Sequence, residues 1–288
     1  MKPFNPLDYP ICFSFPHRLV RSAWIGHIPF GMFILGLVKP RIFVELGTHT
    51  GVSYCAFCQA AVELGVQVRC IAIDTWEGDE QAGLYGPEVL DELRRSHDEL
   101  YGNFSQLLKA TFNDALEQFP DGTIDLLHID GLHSYHAVKH DFETWLPKMS
   151  ERGVVLLHDI DVRKDDFGVW KLWDELRVNY PHFAMPHSSG LGVLAVGKEP
   201  PPKLLQLLEA PSCELDSVRC FFQEMGARLE FAERLSHMTE LYEQRNEVVR
   251  TLEHDLNVLR QSRTYRIGST IMAPMRGCRN LLSRLAKK

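Results

Sequence analysis

No stretch of this chain is long and apolar enough to read as a bilayer span. The best candidate, residues 28–38 (IPFGMFILGLV), falls well short of the roughly 20 residues a spanning helix needs, and two glycines interrupt it. The N-terminus shows no secretory leader: Pro3, Pro6, Pro10 and Pro16 punctuate it, and no small-residue cleavage site follows an apolar core. A disulfide framework is missing too. The seven cysteines (12, 55, 58, 70, 213, 220, 278) are odd in number, and Cys55-x-x-Cys58 has no second pair to complete a zinc site. That pair falls on the apolar side of an expected helix and reads as buried and structural. These absences point to a reducing, cytoplasmic setting. Basic charge is lacking where nucleic acid would need it. The net charge is -7, yet residues 263–288 alone carry seven Arg and Lys and no acid. The first 262 residues are left with 24 basic against 38 acidic side chains, a net of -14. An acidic body excludes the basic face of a nucleic-acid-binding domain.

What the sequence does contain is a globular composition. Its 288 residues are 45% hydrophobic and 24% charged, enough for one large domain or a domain with an appendage. Residues 1–40 form a proline-spotted N-terminal cap segment, ending in helical stretches that break at Pro29. Trp24 and His27 in it are either core residues or the lining of a substrate entrance. Strands are expected at 41–46, 68–73, 106–110, 124–129, 154–157 and 191–196, with helices between them, the one after residue 134 capped by Ser134. Such alternation over 41–197 implies a doubly wound, mostly parallel α/β sheet whose ligands sit beyond the carboxyl ends of the strands. The long loop 75–87 is a further functional candidate. Residues 198–212, opening on KEPPP, read as a linker. Over 213–262 a helical region is expected; from Phe231 to Leu259 its apolar residues alternate four and three apart, flawed at Arg245. A homodimeric coiled coil and a helix folded back on the domain both satisfy that pattern. The basic amphipathic tail, 263–288, suits an anionic membrane surface on the inner face, or simply a solvated terminus.

Chemistry concentrates at two places. In Arg41-Ile-Phe-Val-Glu-Leu-Gly-Thr-His-Thr-Gly51, a strand runs into two glycines four apart and then a helix. Glu45 stands where a dinucleotide loop would have its first glycine; its charge repels a pyrophosphate and attracts a cationic cofactor. Gly47 and Gly51 permit close backbone approach. Asp74, ending the second strand, is placed for two ribose hydroxyls, or is a turn residue. The second place is His128-Ile-Asp130-Gly-Leu-His133 with His158-Asp159. Asp130 and Asp159 end adjacent strands, and two carboxylates side by side call for a divalent cation, Mg²⁺ or Mn²⁺ by the hardness of the donors. The simpler reading makes them turn caps. His133 is a candidate general base or further ligand. His128, His136 and His140 read as structural.

These motifs resemble class I S-adenosylmethionine-dependent methyltransferases. More narrowly they are similar to the sugar and small-molecule O-methyltransferases with the IDG-x-H…HD pattern, related to the macrolide-sugar and cephalosporin-pathway enzymes. The resemblance covers about residues 22–197. It implies a Rossmann-like sheet of seven strands, the last reversed, followed by a helical or coiled-coil extension. It also implies S-adenosylmethionine held by Glu45, Gly47, Thr48, Gly51, Asp74 and Thr75, a cation held by Asp130, His158 and Asp159, and catalysis by His133 and Asp130. The acceptor would be a sugar, glycan or other small hydroxylated molecule. Two departures matter: His158 replaces the acid of the metal-binding relatives, and Arg152-Gly153 replaces a Gly-Gly. The SRTYRI segment near the C-terminus is similar to tails on proteins of surface-polysaccharide assembly, which leaves a non-catalytic scaffold as the competing reading.

Overall fold

A computed structural model describes residues 4–79, 81 and 83–271. The chain divides into two compact units, residues 1–233 and 234–288, each described by itself. In chain order the elements are α1 (Ile28–Val38), β1 (Ile42–Leu46), α2 (Val52–Leu64), β2 (Arg69–Asp74), β3 (Gly78–Asp79) and β4 (Gly83–Leu84). There follow α3 (Glu88–Tyr101), β5 (Ser105–Lys109), α4 (Phe112–Leu116), β6 (Ile124–Ile129), α5 (Tyr135–Trp145) and β7 (Met149–His158). The last are α6 (Val169–Leu176), β8 (His182–Met185), β9 (Leu191–Ala195), α7 (Pro202–Leu208) and α8 (Ser212–Gln261).

Seven strands form one sheet in the order β5-β2-β1-β6-β7-β9-β8. β5, β2, β1, β6 and β7 are mutually parallel, and β9 runs antiparallel to both its neighbours. The central strands are mostly apolar because helices cover both faces, with Glu45, Asp125 and His128 as buried exceptions. Their two-residue period sends Phe43, Leu126, Val154 and Leu156 into one core, with α1, α2 and the start of α8. Val44, Leu127, Val155 and Leu157 enter the other, with α5 and α6. Adjacent β1 and β6 end at the same level, Leu46 beside Ile129, so the loops that follow them face each other.

The structure corrects three expectations. Pro29 begins α1 instead of breaking a helix: it sits in the first turn, where its missing N–H costs nothing. β8 was not foreseen from the residues; it is a four-residue edge strand between Pro181 and Pro186. The segment 198–212 is not a free linker. It carries α7, whose Leu204, Leu207 and Leu208 are buried in the main core. The helix expected over 213–262 is α8, and its first turns bury Val218, Phe222 and Leu229. Among the described residues no helix is long and apolar enough to cross a membrane. Most of the basic tail, 272–288, lies outside the described residues.

Candidate functional site

The carboxyl ends of β1, β2, β6 and β7 surround a cavity of about 510 Å³. On the β1 side the chain turns through Gly47, φ +85°, where a Cβ would stand 2.1 Å from the Asp130 carbonyl oxygen. Only glycine permits this approach of the two loops. Gly51, φ +78°, then leads into α2. Asp74 holds the turn from below. Its Oδ2 accepts the backbone N–H groups of Thr48 and His49, each at 2.8 Å, and its Oδ1 accepts that of Trp76 at 2.7 Å. Asp74 thus shapes the glycine loop, and it also lines the cavity with Gly47, Thr48 and Thr75. The Thr48 hydroxyl is buried in this wall with no partner among the described residues. A buried hydroxyl of that kind calls for a ligand or water.

Glu45 lies deeper. It is fully buried in β1, outside the cavity wall, with Oε2 accepting from His128 Nδ1 at 2.8 Å. Trp24 Nε1 donates to His128 Nε2 at 3.2 Å, which places the His128 proton on Nδ1. Burial pushes the Glu45 carboxyl above its usual range, and the hydrogen bond from His128 pulls it part of the way back. Trp24 is buried and yet borders the cavity, so the core and entrance readings of that residue both describe it. His27 is a core residue: its Nε2 meets the Ser188 carbonyl at 3.0 Å, its Nδ1 has no partner among the described residues, and burial holds its pKa well below normal.

The carboxylates of Asp130 and Asp159 do converge. The ligand atoms gathered within 4.8 Å of one another belong to Asp130, His133 and Asp159. His133, expected as a base or a further ligand, is the imidazole of this set; His158, expected as a ligand, is outside it although its Nδ1 lies 3.5 Å from Asp159 Oδ2. His133 Nε2 lies 2.8 Å from Asp159 Oδ2 and 3.5 Å from Asp130 Oδ1. Its Nδ1 lies 2.9 Å from Gln81 Oε1, and Phe167 stacks flat on its ring at 4.7 Å. His158 stands behind, with Nδ1 at 3.1 Å from Asp130 Oδ1 and Nε2 at 3.2 Å from the Ser188 carbonyl. Both its nitrogens face acceptors, so both donate and the ring is a buried cation. Burial opposes that charge, but Asp130 and Asp159 overcome it and raise the His158 pKa to about 10. The same balance raises His133 to about 9. Burial would lift Asp159, but hydrogen bonds from His133 and His158 bring it down to about 2. Gln81, Phe167 and Ser188 were not foreseen, since no motif spacing relates them to the histidines they hold; only Gln81 had a signal, its place in the long 75–87 loop. His136 and His140 lie outside the cavity wall on α5, as expected.

A five-strand parallel sheet extended by an antiparallel pair, with a glycine loop after the central strand, is the class I methyltransferase architecture. Residues 44–160 match the family model described as a methyltransferase domain, and the seven-stranded sheet has the Rossmann-like methyltransferase fold. A relative from Sinorhizobium fredii (strain NBRC 101917 / NGR234), the uncharacterized protein y4gI, is 49% identical over 194 residues. That match covers 67% of this chain and 21% of the relative, so the chain spans about a fifth of the relative's length. The O-methyltransferase TomG from Streptomyces achromogenes, solved in complex with SAM, is 16% identical, with 62% of this chain and 82% of that one covered and a TM-score of 0.46. The SAH-bound methyltransferase PaMTH1 from Podospora anserina is 14% identical, with 67% and 97% covered and a TM-score of 0.45.

Proposed function

We propose that this protein transfers a methyl group from S-adenosylmethionine to a hydroxyl of a sugar, glycan or other small hydroxylated acceptor, with Mg²⁺ or Mn²⁺ at Asp130 and Asp159 and His133 beside them as the base. The observation that carries the reading is the meeting, on one cavity, of the glycine loop with its unpartnered Thr48 hydroxyl and the acid–imidazole–acid set. Two converging carboxylates are donors suited to a hard divalent ion. Such an ion supplies polarisation of the acceptor oxygen, lowering the pKa of its hydroxyl. In the reaction the acceptor oxygen bonds to the methyl carbon as the carbon–sulfur bond breaks, and the hydroxyl proton must leave.

His133 is the group placed to receive it. In the metal-free arrangement its Nε2 already carries a proton toward Asp159, so it becomes a base only once that proton is expelled. With a cation held by Asp130 and Asp159, the carboxylates would no longer need the imidazolium as counter-charge, and His133 Nε2 would be free to hold the acceptor's proton. The chain's remaining contribution is alignment: Gly47, Thr48, Asp74 and Thr75 fix the donor side, and the reacting atoms gain from being held in line. The basic stretch from residue 263 is proposed to rest on the anionic inner face of a membrane in a cytoplasmic protein.

The test is mass spectrometry for a methylated product across sugar and glycan acceptors, with Mg²⁺ and with excess chelator. His133→Ala and Asp130→Asn are expected to abolish turnover while S-adenosylmethionine still binds by calorimetry. Full turnover in either variant or in chelator refutes the metal-and-base chemistry. Cofactor binding without methylation of any acceptor supports the scaffold reading instead.

A further inference from the structure

Between residues 235 and 256, α8 exposes a continuous apolar stripe. Leu235, Met238, Tyr242, Val249, Leu252 and Leu256 are each between 45% and 67% exposed. They recur alternately three and four residues apart, with Arg245 filling the one gap. Helices in water are held mainly by burying such a face, not by propensity, and this alternation is the seam of a coiled coil.

We propose that the occupant of this seam is the same stripe of a second copy of the chain, running antiparallel, with the two-fold axis between Tyr242 and Arg245. Arg245 decides the direction. In a parallel pair it would meet its own copy across the seam, two like charges in an apolar layer, which is costly. In an antiparallel two-fold pair residue i meets residue j and j meets i. An axis between Tyr242 and Arg245 sets Leu235 against the partner's Leu252, Met238 against the partner's Val249, and Tyr242 against the partner's Arg245. The last pair joins a cation to a ring face, an attraction Arg245 already makes with Tyr242 of its own helix at 5.3 Å.

The flanking positions agree with this register. Arg234 falls beside the partner's Asp255, and Leu241 beside the partner's Val248. Leu241 and Val248 are 51% and 58% exposed, unexpected for seam-flanking positions unless they meet each other. Parallel pairing would instead put Leu241 beside the partner's Asn246 and Val248 beside the partner's Glu253. The apolar flanks match in one direction and not in the other, and only the antiparallel direction keeps Arg245 from its own copy.

Light scattering and sedimentation of the full chain test the proposal. The expected mass is twice the 33.0 kDa of the chain, falling to one chain with Leu252→Glu. Arg234→Asp and Asp255→Arg should each weaken association by roughly fivefold, since two symmetry-related surface pairs are lost. The double variant restores it, because the pair is rebuilt with its signs exchanged. A monomer at all concentrations, a dimer that survives Leu252→Glu, or a double variant no better than the singles overturns the proposal.

Discussion

Replacing His158 by Gln removes the cation on which Asp130 depends. The imidazolium is 3% exposed, lies 3.1 Å from Asp130 Oδ1 and 3.5 Å from Asp159 Oδ2, and is the buried half of an ion cluster. Breaking a buried pair from one side costs about 3–5 kcal/mol, because the remaining charge is left without compensation. The shifted titration gives a figure of the same order. Folding raises the pKa from 6.5 to about 10. At about 1.4 kcal/mol per unit, this is roughly 5 kcal/mol of preference for the charged ring. The folded pKa lies above the unfolded one, so the contribution is complete below pH 6.5 and disappears as pH rises through 10. Urea denaturation of wild type and His158→Gln is the assay. A gap of about 3–5 kcal/mol is expected at pH 6.5, closing toward pH 10. Added Mg²⁺ should narrow the gap at pH 6.5, as a second source of positive charge between the carboxylates. A gap below about 1 kcal/mol, the level of an exposed pair, refutes the reasoning. A gap that persists unchanged at pH 10 refutes it equally.

Gly47→Ala should lower stability by at least about 1–2 kcal/mol from left-handed backbone alone. It should also abolish calorimetric binding of S-adenosylmethionine, since the added Cβ would stand 2.1 Å from the Asp130 carbonyl oxygen and push the two loops apart. An unchanged denaturation midpoint rules this out. Trp24→Phe keeps the ring but removes the donor to His128 Nε2, leaving a buried acceptor unpaired at a cost of about 1–3 kcal/mol. Nitrogen NMR of His128 should then lose its single fixed Nδ1–H form; retention of that form would mean Glu45 alone sets the tautomer.

The sheet was legible because its central strands are short and rich in apolar residues, such as Val154–Leu157, and lead into acids, Asp130 after Ile129 and Asp159 after His158. β8 was not, because four residues between two prolines carry too little periodicity to separate from a turn. The linker reading of 198–212 failed because the prolines drew attention from Leu204, Leu207 and Leu208, which share a helical face. At the site, the strand-end acids could be placed from topology, since β6 and β7 are neighbours. Which histidine faces them could not. His133 is fixed by Gln81 and Phe167, and His158 is drawn back by the Ser188 carbonyl, contacts between residues 52, 34 and 30 positions apart. Glu45 was recognised as unusual for its charge, but its partner His128 is 83 residues away and lies beside it only because β1 and β6 are in register.

The meeting of the N-terminal segment with the first turns of α8 bears on how the chain acquires its structure during synthesis. Phe33 and Phe30 each lie 5.1 Å from Phe222, the Phe4 amide bonds Glu214, and Gly226 packs so closely on Gly26 that a Cβ there would stand 2.1 Å from its carbonyl oxygen. These contacts join residues some two hundred positions apart, which is slow loop closure. A nascent chain therefore carries an uncovered aromatic face on α1 until α8 leaves the ribosome. Exposed aromatic surface of that kind is what makes an incomplete chain prone to aggregate.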